Sequence, residues 1–111
     1  MQLATFQTEK TGDAVIVHVH GEIDLSNAAE LSAAVTRTAA TGQSPPERVW
    51  VDLREVSYFD SAGLNTLFAL NENLRAAGRS LGVVAPQRHH ARRVLDLVQA
   101  DRVMPVTETI P

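Results

Sequence analysis

The chain has 111 residues, of which 44% are hydrophobic and 21% charged, and it contains no cysteine. This is the composition of one globular domain over residues 1–111, and no apolar run reaches the roughly 20 residues that a membrane span needs. The missing cysteines exclude disulfides, thiol nucleophiles and cysteine-bound metals. The net charge of −3 offers no overall attraction to nucleic acid or anionic lipid, so we expect a protein partner, no direct nucleic-acid contact and no membrane insertion.

The first half of the chain predicts two strands and a helix. Residues 3–8 alternate weakly between apolar and polar and predict an edge strand, whereas residues 14–20 alternate clearly and predict a strand with one apolar face. Apolar residues then recur at helical spacing from Ala28 to Ala39. The segment from Gly42 to Pro46 is expected to end this helix.

The second half predicts strands that alternate with helices. Residues 49–53 alternate as a strand, and a loop is expected to lead from them to a helix that begins at the Asp60-Ser61 pair. Residues 80–85 predict a short buried strand, residues 87–99 a third helix, and residues 103–106 a last edge strand. The order β-β-α-β-α-β-α-β implies an α/β fold with parallel strands in the sheet and helices on at least one face.

Asp60 and Ser61 stand out because they lie at a predicted helix N-terminus. The first N–H groups of a helix lack intrahelical partners and carry partial positive charge, so a side-chain oxygen or a phosphate is favourable there. One interpretation is an ordinary N-cap; the other is a serine that is modified, with Ala62 and Gly63 leaving its hydroxyl accessible. No Gly-x-Ser-x-Gly motif surrounds Ser61, so we predict no catalytic residue.

His18 and His20 lie two residues apart on one strand face. With Glu22 or Asp24 they would suit a zinc ion, which is the alternative of a metal-dependent enzyme. Any strand with two histidines shows this spacing, and exposed histidines are the simpler interpretation. We therefore predict no metal and no other cofactor.

Three segments carry a resemblance to a known family. These are Val19-His-Gly-Glu-Ile-Asp24, Val51-Asp-Leu53 and Phe59-Asp-Ser-Ala-Gly-Leu64. Together they resemble the STAS domain of bacterial anti-sigma factor antagonists, over roughly Val15 to Val106. The resemblance implies a single STAS domain with a small mixed sheet of four to five strands and helices packed mainly on one face. The N-terminus shows no signal peptide pattern, so the expected location is cytoplasmic.

The resemblance also implies a phosphorylation switch in a protein that is not an enzyme. Ser61 would be phosphorylated by an anti-sigma factor that is itself a GHKL-type serine kinase. The unmodified protein would bind this kinase and so release a sigma factor, and a PP2C-type phosphatase would restore it. The residues that would bind the partner are Asp24, Asp60, Ser61, Ala62, Gly63 and Leu64.

A second role is known for STAS domains and remains open from the sequence. Some are subunits of lipid-transport ATPase complexes, which bind their partner constitutively and are not switched by phosphorylation. The intact motif around Ser61 favours the switch. Ala62 occupies a position that is often Ser or Thr in the family, which leaves Ser61 as the only hydroxyl between Asp60 and Leu64.

Overall fold

A five-stranded sheet carries three α-helices in the computed structural model, which describes residues 2–40 and 46–111. The strands are β1 (Ala4–Thr11), β2 (Ala14–Ile23), β3 (Arg48–Phe59), β4 (Ser80–Val84) and β5 (Val106–Thr107), and the helices are α1 (Ala28–Ala40), α2 (Ser61–Ala76) and α3 (His90–Leu97). The strands lie in chain order across the sheet. The β1–β2 pair is antiparallel and the other pairs are parallel, which confirms the predicted mixed sheet.

All three helices pack on the same face of the sheet. Their buried residues join those of the strands in one core, which includes Leu31, Val35, Leu67, Leu70, Leu95, Val17, Val51 and Leu81. Each such aliphatic side chain contributes about 1.5–3 kcal/mol through burial. The predicted one-sided arrangement is therefore confirmed. Within the described residues, no helix is long and apolar enough to cross a bilayer.

The opposite face of the sheet carries a smaller apolar cluster. Ile16, Trp50 and Val84 are buried there, and Ala14 and Ile110 pack against them. The C-terminal segment thus covers part of this face.

Strand β3 is longer than the sequence predicts. It runs to Phe59, and only Asp60 separates it from α2, so the expected loop before α2 is a single residue. Val56 and Phe59 are buried and pair with the end of β2. Two register shifts between β2 and β3 place extra residues in β3, and these interrupt the alternation that marks a strand.

The elements near the C-terminus also differ from the prediction. Helix α3 begins at His90 rather than Gln87, because His89 N–H donates to the Pro86 carbonyl in a turn, at 2.9 Å. Residues Ala100–Arg102 form a 3-10 helix, in which Val103 N–H donates to the Ala100 carbonyl at 3.0 Å, and Met104 N–H donates to the same carbonyl at 3.1 Å. Strand β5 therefore starts only after Pro105. The predicted break at Gly42–Pro46 lies outside the described residues except for Pro46.

Candidate functional site

The predicted site residues meet where β2 and β3 end side by side. Ile23 and Phe59 are paired, and each is followed by an aspartate, Asp24 or Asp60. Adjacent strands lie about 4.8 Å apart, so the two aspartates lie close together at the carboxyl ends of β2 and β3. Helix α2 begins there with Ser61.

Asp60 is the N-cap of α2. Its backbone is extended, its Oδ1 accepts from Ala62 N–H at 3.0 Å, and its carbonyl oxygen accepts from Leu64 N–H at 3.1 Å. Ser61 is exposed, and among the described residues none hydrogen-bonds its hydroxyl. The cap and the free hydroxyl are therefore two separate residues, and Ser61 is accessible for modification.

The residues after Ser61 become progressively more buried. Ala62 is half-buried, and Leu64 is 6% exposed and belongs to the core. A Cβ on Gly63 would lie 2.5 Å from the Phe59 ring, so only glycine lets α2 approach β3 this closely. Gly63 and Leu64 thus position Ser61 through packing, and neither presents an exposed side chain to a partner.

Asp24 shapes the loop between β2 and α1. Its Oδ1 accepts from Ser26 N–H at 2.8 Å and from the Ser26 hydroxyl at 2.6 Å. The hydroxyl bond, followed by the backbone bond, lowers the pKa of Asp24 below its usual value. Asp24 is therefore ionised at neutral pH, and one of its oxygens is used within the loop.

Asn27 fixes this loop, and it was not singled out from the sequence. Its side chain is buried; Oδ1 accepts from Asp24 N–H at 2.9 Å, and Nδ2 donates to the Glu22 carbonyl at 2.7 Å. An asparagine directly before a helix that starts at Ala28 draws attention as a capping residue, but its side chain accepts from Asp24 N–H and not from an N–H group of α1.

Position 21, the first of the Gly-Glu-Ile-Asp segment, requires a glycine for steric reasons. Gly21 has φ +116°, and a Cβ there would lie 2.2 Å from the Leu3 carbonyl oxygen. That oxygen accepts from Glu22 N–H at 2.9 Å. Gly21 thus lets the chain at Leu3 lie close beside the end of β2, and this contact positions Glu22 and the loop that follows.

Two further side chains border the site. Tyr58 is 47% exposed, and its hydroxyl donates to Asp60 Oδ2 at 3.4 Å. The charge of Asp60, followed by desolvation and with smaller contributions from Asp24 and Glu22, raises the pKa of Tyr58. Leu25, in the loop after Asp24, is 86% exposed. In the sequence, Tyr58 and Leu25 are only large side chains near the end of a strand and the start of a helix, and their spacing does not mark them as part of a site.

The comparisons with known proteins agree with this fold. The family model of the STAS domain matches residues 5–111. The chain belongs to the STAS domain family. A solved structure described as an anti-sigma factor antagonist from Mycobacterium paratuberculosis superposes on this STAS domain with a TM-score of 0.83 at 31% identity, covering 96% of this chain and 87% of that one.

Two other relatives show how far the similarity extends. The Bacillus cell fate determinant SpoIIAA in its phosphorylated form superposes with a TM-score of 0.64 at 18% identity, covering 93% of this chain and 91% of that one, which shows the fold alone. Osmosensory protein A of Mycobacterium tuberculosis is 39% identical over 72 residues, which are 65% of this chain and 43% of that protein. The match therefore spans less than half of that relative's length.

The histidines of the STAS domain are not arranged as the zinc hypothesis requires. His18 Nδ1 lies 2.7 Å from Asp52 Oδ2 and Nε2 lies 2.8 Å from Glu9 Oε1, so both ring nitrogens already contact carboxylates. His20 is exposed. Among residues 2–40 and 46–111, no group of three His, Asp or Glu side chains is placed to hold a metal ion. The geometry gives the metal-enzyme alternative no support.

Proposed function

We propose that this STAS domain is an anti-sigma factor antagonist controlled by phosphorylation of Ser61. The unmodified form binds the anti-sigma factor and so releases a sigma factor; the phosphorylated form dissociates. The observation that carries the proposal is the exposed Ser61 hydroxyl on the first residue of α2, beside the capping carboxylate of Asp60. The antagonist from M. paratuberculosis supports the same role by similarity.

The anti-sigma factor in this proposal is a serine kinase of the GHKL type. It transfers the γ-phosphoryl group of ATP to Ser61 Oγ: a base of the kinase takes the hydroxyl proton, the P–O bond to serine forms, and the bond from the γ-phosphorus to the β,γ-bridging oxygen breaks, which releases ADP. A PP2C-type phosphatase hydrolyses the phosphoserine with water and returns the free hydroxyl and inorganic phosphate. The STAS domain is the substrate in both steps and needs no cofactor of its own.

The position of Ser61 suits a switch that leaves the fold intact. A phosphate adds about −1.5 to −2 charges at neutral pH, and a helix N-terminus stabilises such charge by roughly 0.3–1 kcal/mol. The side chain is exposed, so the phosphate meets solvent in the free protein. Phosphorylation should therefore change the surface and not the core.

The same phosphate is unfavourable in a complex with the kinase. The acceptor hydroxyl must face the nucleotide phosphates for transfer, so a phosphoserine there faces charge of its own sign. It must also lose water beside Asp60, and a buried charge without a partner costs several kcal/mol. A cost of about 4 kcal/mol weakens binding a thousandfold.

The six predicted site residues take different parts in this proposal. Asp24, Asp60, Ser61 and the exposed part of Ala62 form the surface that the partner meets. Gly63 and Leu64 act through packing, because the first admits Phe59 and the second is buried.

Phosphopeptide mapping of the protein from its own host tests the proposal. We expect one phosphate, about 80 Da, on Ser61 and none in a Ser61→Ala variant. Ser57→Ala is the control, because Ser57 is an exposed serine of β3 that lies outside the motif. An unphosphorylated Ser61 under every growth condition would contradict the switch and favour constitutive binding, as in the STAS subunits of lipid-transport ATPase complexes.

A further inference from the structure

The end of the sheet beside Ser61 carries an exposed leucine among carboxylates. Leu25 is 86% exposed, although it lies one residue after Asp24 and two residues before the buried Asn27. A single exposed leucine means little by itself. Its surroundings decide whether it belongs to a binding surface.

The neighbours of Leu25 form one acidic patch. Glu22 is paired with Tyr58, and both lie on the sheet face opposite the helices, because Ile23 and Phe59 point into the core. The Tyr58 hydroxyl donates to Asp60 Oδ2 at 3.4 Å, and Asp24 and Asp60 directly follow the paired residues Ile23 and Phe59 at the strand ends. We call Glu22, Asp24, Leu25, Tyr58 and Asp60 the acidic patch.

The charge of this patch has no counterpart within the described residues. None of the ion pairs among the described residues includes Glu22, Asp24 or Asp60, so these carboxylates have no lysine or arginine partner there. Three carboxylates without an ion-pair partner thus lie at the ends of β2 and β3 together with two large exposed side chains, Tyr58 and the Leu25 that follows Asp24. Such a surface is complementary to an apolar pocket with a cationic rim.

We propose that Leu25 is the apolar anchor of the anti-sigma factor interface. It inserts into an apolar pocket of the kinase, and lysine or arginine side chains around that pocket pair with Glu22, Asp24 and Asp60. This inference rests on the proposed function and specifies the partner chemistry of the same site. A few buried anchors carry most of the energy of an interface, whereas charges around them set the association rate and the choice of partner.

A second copy of this chain is a less suitable partner for the acidic patch. A two-fold symmetric dimer places the same patch on both sides of its interface. The carboxylates of one copy would then face those of the other, and close like charges cost energy. The patch therefore selects a basic partner of different sequence.

Affinity measurements with the kinase that phosphorylates Ser61 test the anchor. We expect Leu25→Ala to raise Kd roughly 30-fold, the factor that corresponds to about 2 kcal/mol for a hot-spot residue. The matched control is Leu97→Ala. Leu97 is 84% exposed and ends α3, which returns from the carboxyl ends of the strands towards their amino ends. The control should bind within twofold of wild type, and both variants should keep the wild-type melting temperature.

A charge variant tests the rim of the pocket. Glu22 is suitable because its side chain makes no hydrogen bond among the described residues, whereas Asp24 holds the loop. Glu22→Gln should slow association and make Kd less sensitive to salt between 50 and 300 mM, roughly the range in which surface charges become screened.

The outcomes separate this inference from the proposed function. If Leu25→Ala binds like wild type while phosphorylation of Ser61 still releases the kinase, the anchor is wrong and the switch stands. If Leu25→Ala and Leu97→Ala weaken binding equally, the patch is not specific and the inference is also wrong. If no kinase of the host phosphorylates Ser61, the proposed function and the anchor fall together.

Discussion

His18 is the residue whose contacts depend most on pH. Each of its ring nitrogens contacts a carboxylate, that of Glu9 in β1 or that of Asp52 in β3. Only the protonated ring can donate a hydrogen bond to both carboxylates. Desolvation lowers its pKa, but the hydrogen bonds to Glu9 and Asp52 outweigh that effect and raise the pKa above 6.5. Asp52 also accepts from Arg54 Nε at 3.0 Å. Desolvation raises the pKa of Asp52, but the bonds from Arg54 and His18 prevail and hold it below 3.8.

These contacts predict how stability depends on pH. Because folding raises the pKa of His18, its stabilisation is complete below the unfolded value of 6.5 and is lost as pH rises through the higher folded value. Asp52 works in the other direction: its contribution is present above 3.8 and is lost as pH falls below that value. We expect His18→Gln to cost about 1 kcal/mol near pH 6, a reduced value because the side chain is 30% exposed, and less above pH 8.

Urea unfolding of wild type and His18→Gln between pH 5 and pH 9 measures this difference. His20→Gln is the control, since it removes an exposed histidine from the same strand. A difference between wild type and His18→Gln that stays constant across this range would show that the charge of His18 does not stabilise the fold.

Gly63 provides a second prediction for a single residue. Alanine is usually favoured over glycine within a helix by about 1 kcal/mol, but here its Cβ would lie 2.5 Å from the buried Phe59 ring. Overpacking of this kind costs about 1–3 kcal/mol, so Gly63→Ala should lower the free energy of unfolding. In the Phe59→Leu background the same substitution should cost less, because the ring is absent. A stabilising effect of Gly63→Ala in the wild-type background would contradict the close contact.

Among the elements, the loop from β2 to α1 depends on one buried side chain. Asn27→Ala would leave the Asp24 N–H and the Glu22 carbonyl without their partners, at a cost of about 1–3 kcal/mol. Asn73→Ala, at an exposed position of α2, is the matched control and should change stability by less than about 0.5 kcal/mol. Amide hydrogen exchange at Asp24 should speed up in the first variant alone. Unchanged exchange in Asn27→Ala would show that the loop is held by other contacts.

Element boundaries show what the sequence could not reveal. Val56 and Phe59 are buried at a spacing of three instead of two, because β3 contains extra residues relative to β2, and the alternation rule therefore ends the strand at Leu53. His89 caps α3 by accepting from Ala91 N–H through Nδ1, at 3.0 Å, but histidine is not among the usual capping residues. The helix interiors, with their regular apolar spacing, were predicted correctly.

At the scale of the whole molecule, the fold and the position of Ser61 could be predicted, whereas the surroundings of the site could not. The alternation of strands and helices implies the one-sided sheet, and the motif places Ser61 at a helix start. The partners of His18 and the patch around Leu25 depend on contacts between distant segments; His18 and Asp52 are 34 positions apart. Periodicity within a segment carries no information about such pairs.

The whole molecule should tolerate charge at Ser61. The residue is exposed and the core lies beneath Leu64, so Ser61→Asp should leave the melting temperature within a few degrees of wild type. Differential scanning calorimetry of Ser61→Asp and Ser61→Ala measures this. A large loss of stability in the aspartate variant alone would mean that charge at this position disrupts α2.

The affinity of the anti-sigma factor kinase for the unmodified and the Ser61-phosphorylated protein tests the central claim most directly. We expect phosphorylation to weaken binding about a thousandfold, which corresponds to about 4 kcal/mol, while both forms melt at nearly the same temperature. Equal affinity of the two forms would contradict the switch, and so would a weaker affinity that is explained by unfolding of the phosphorylated protein.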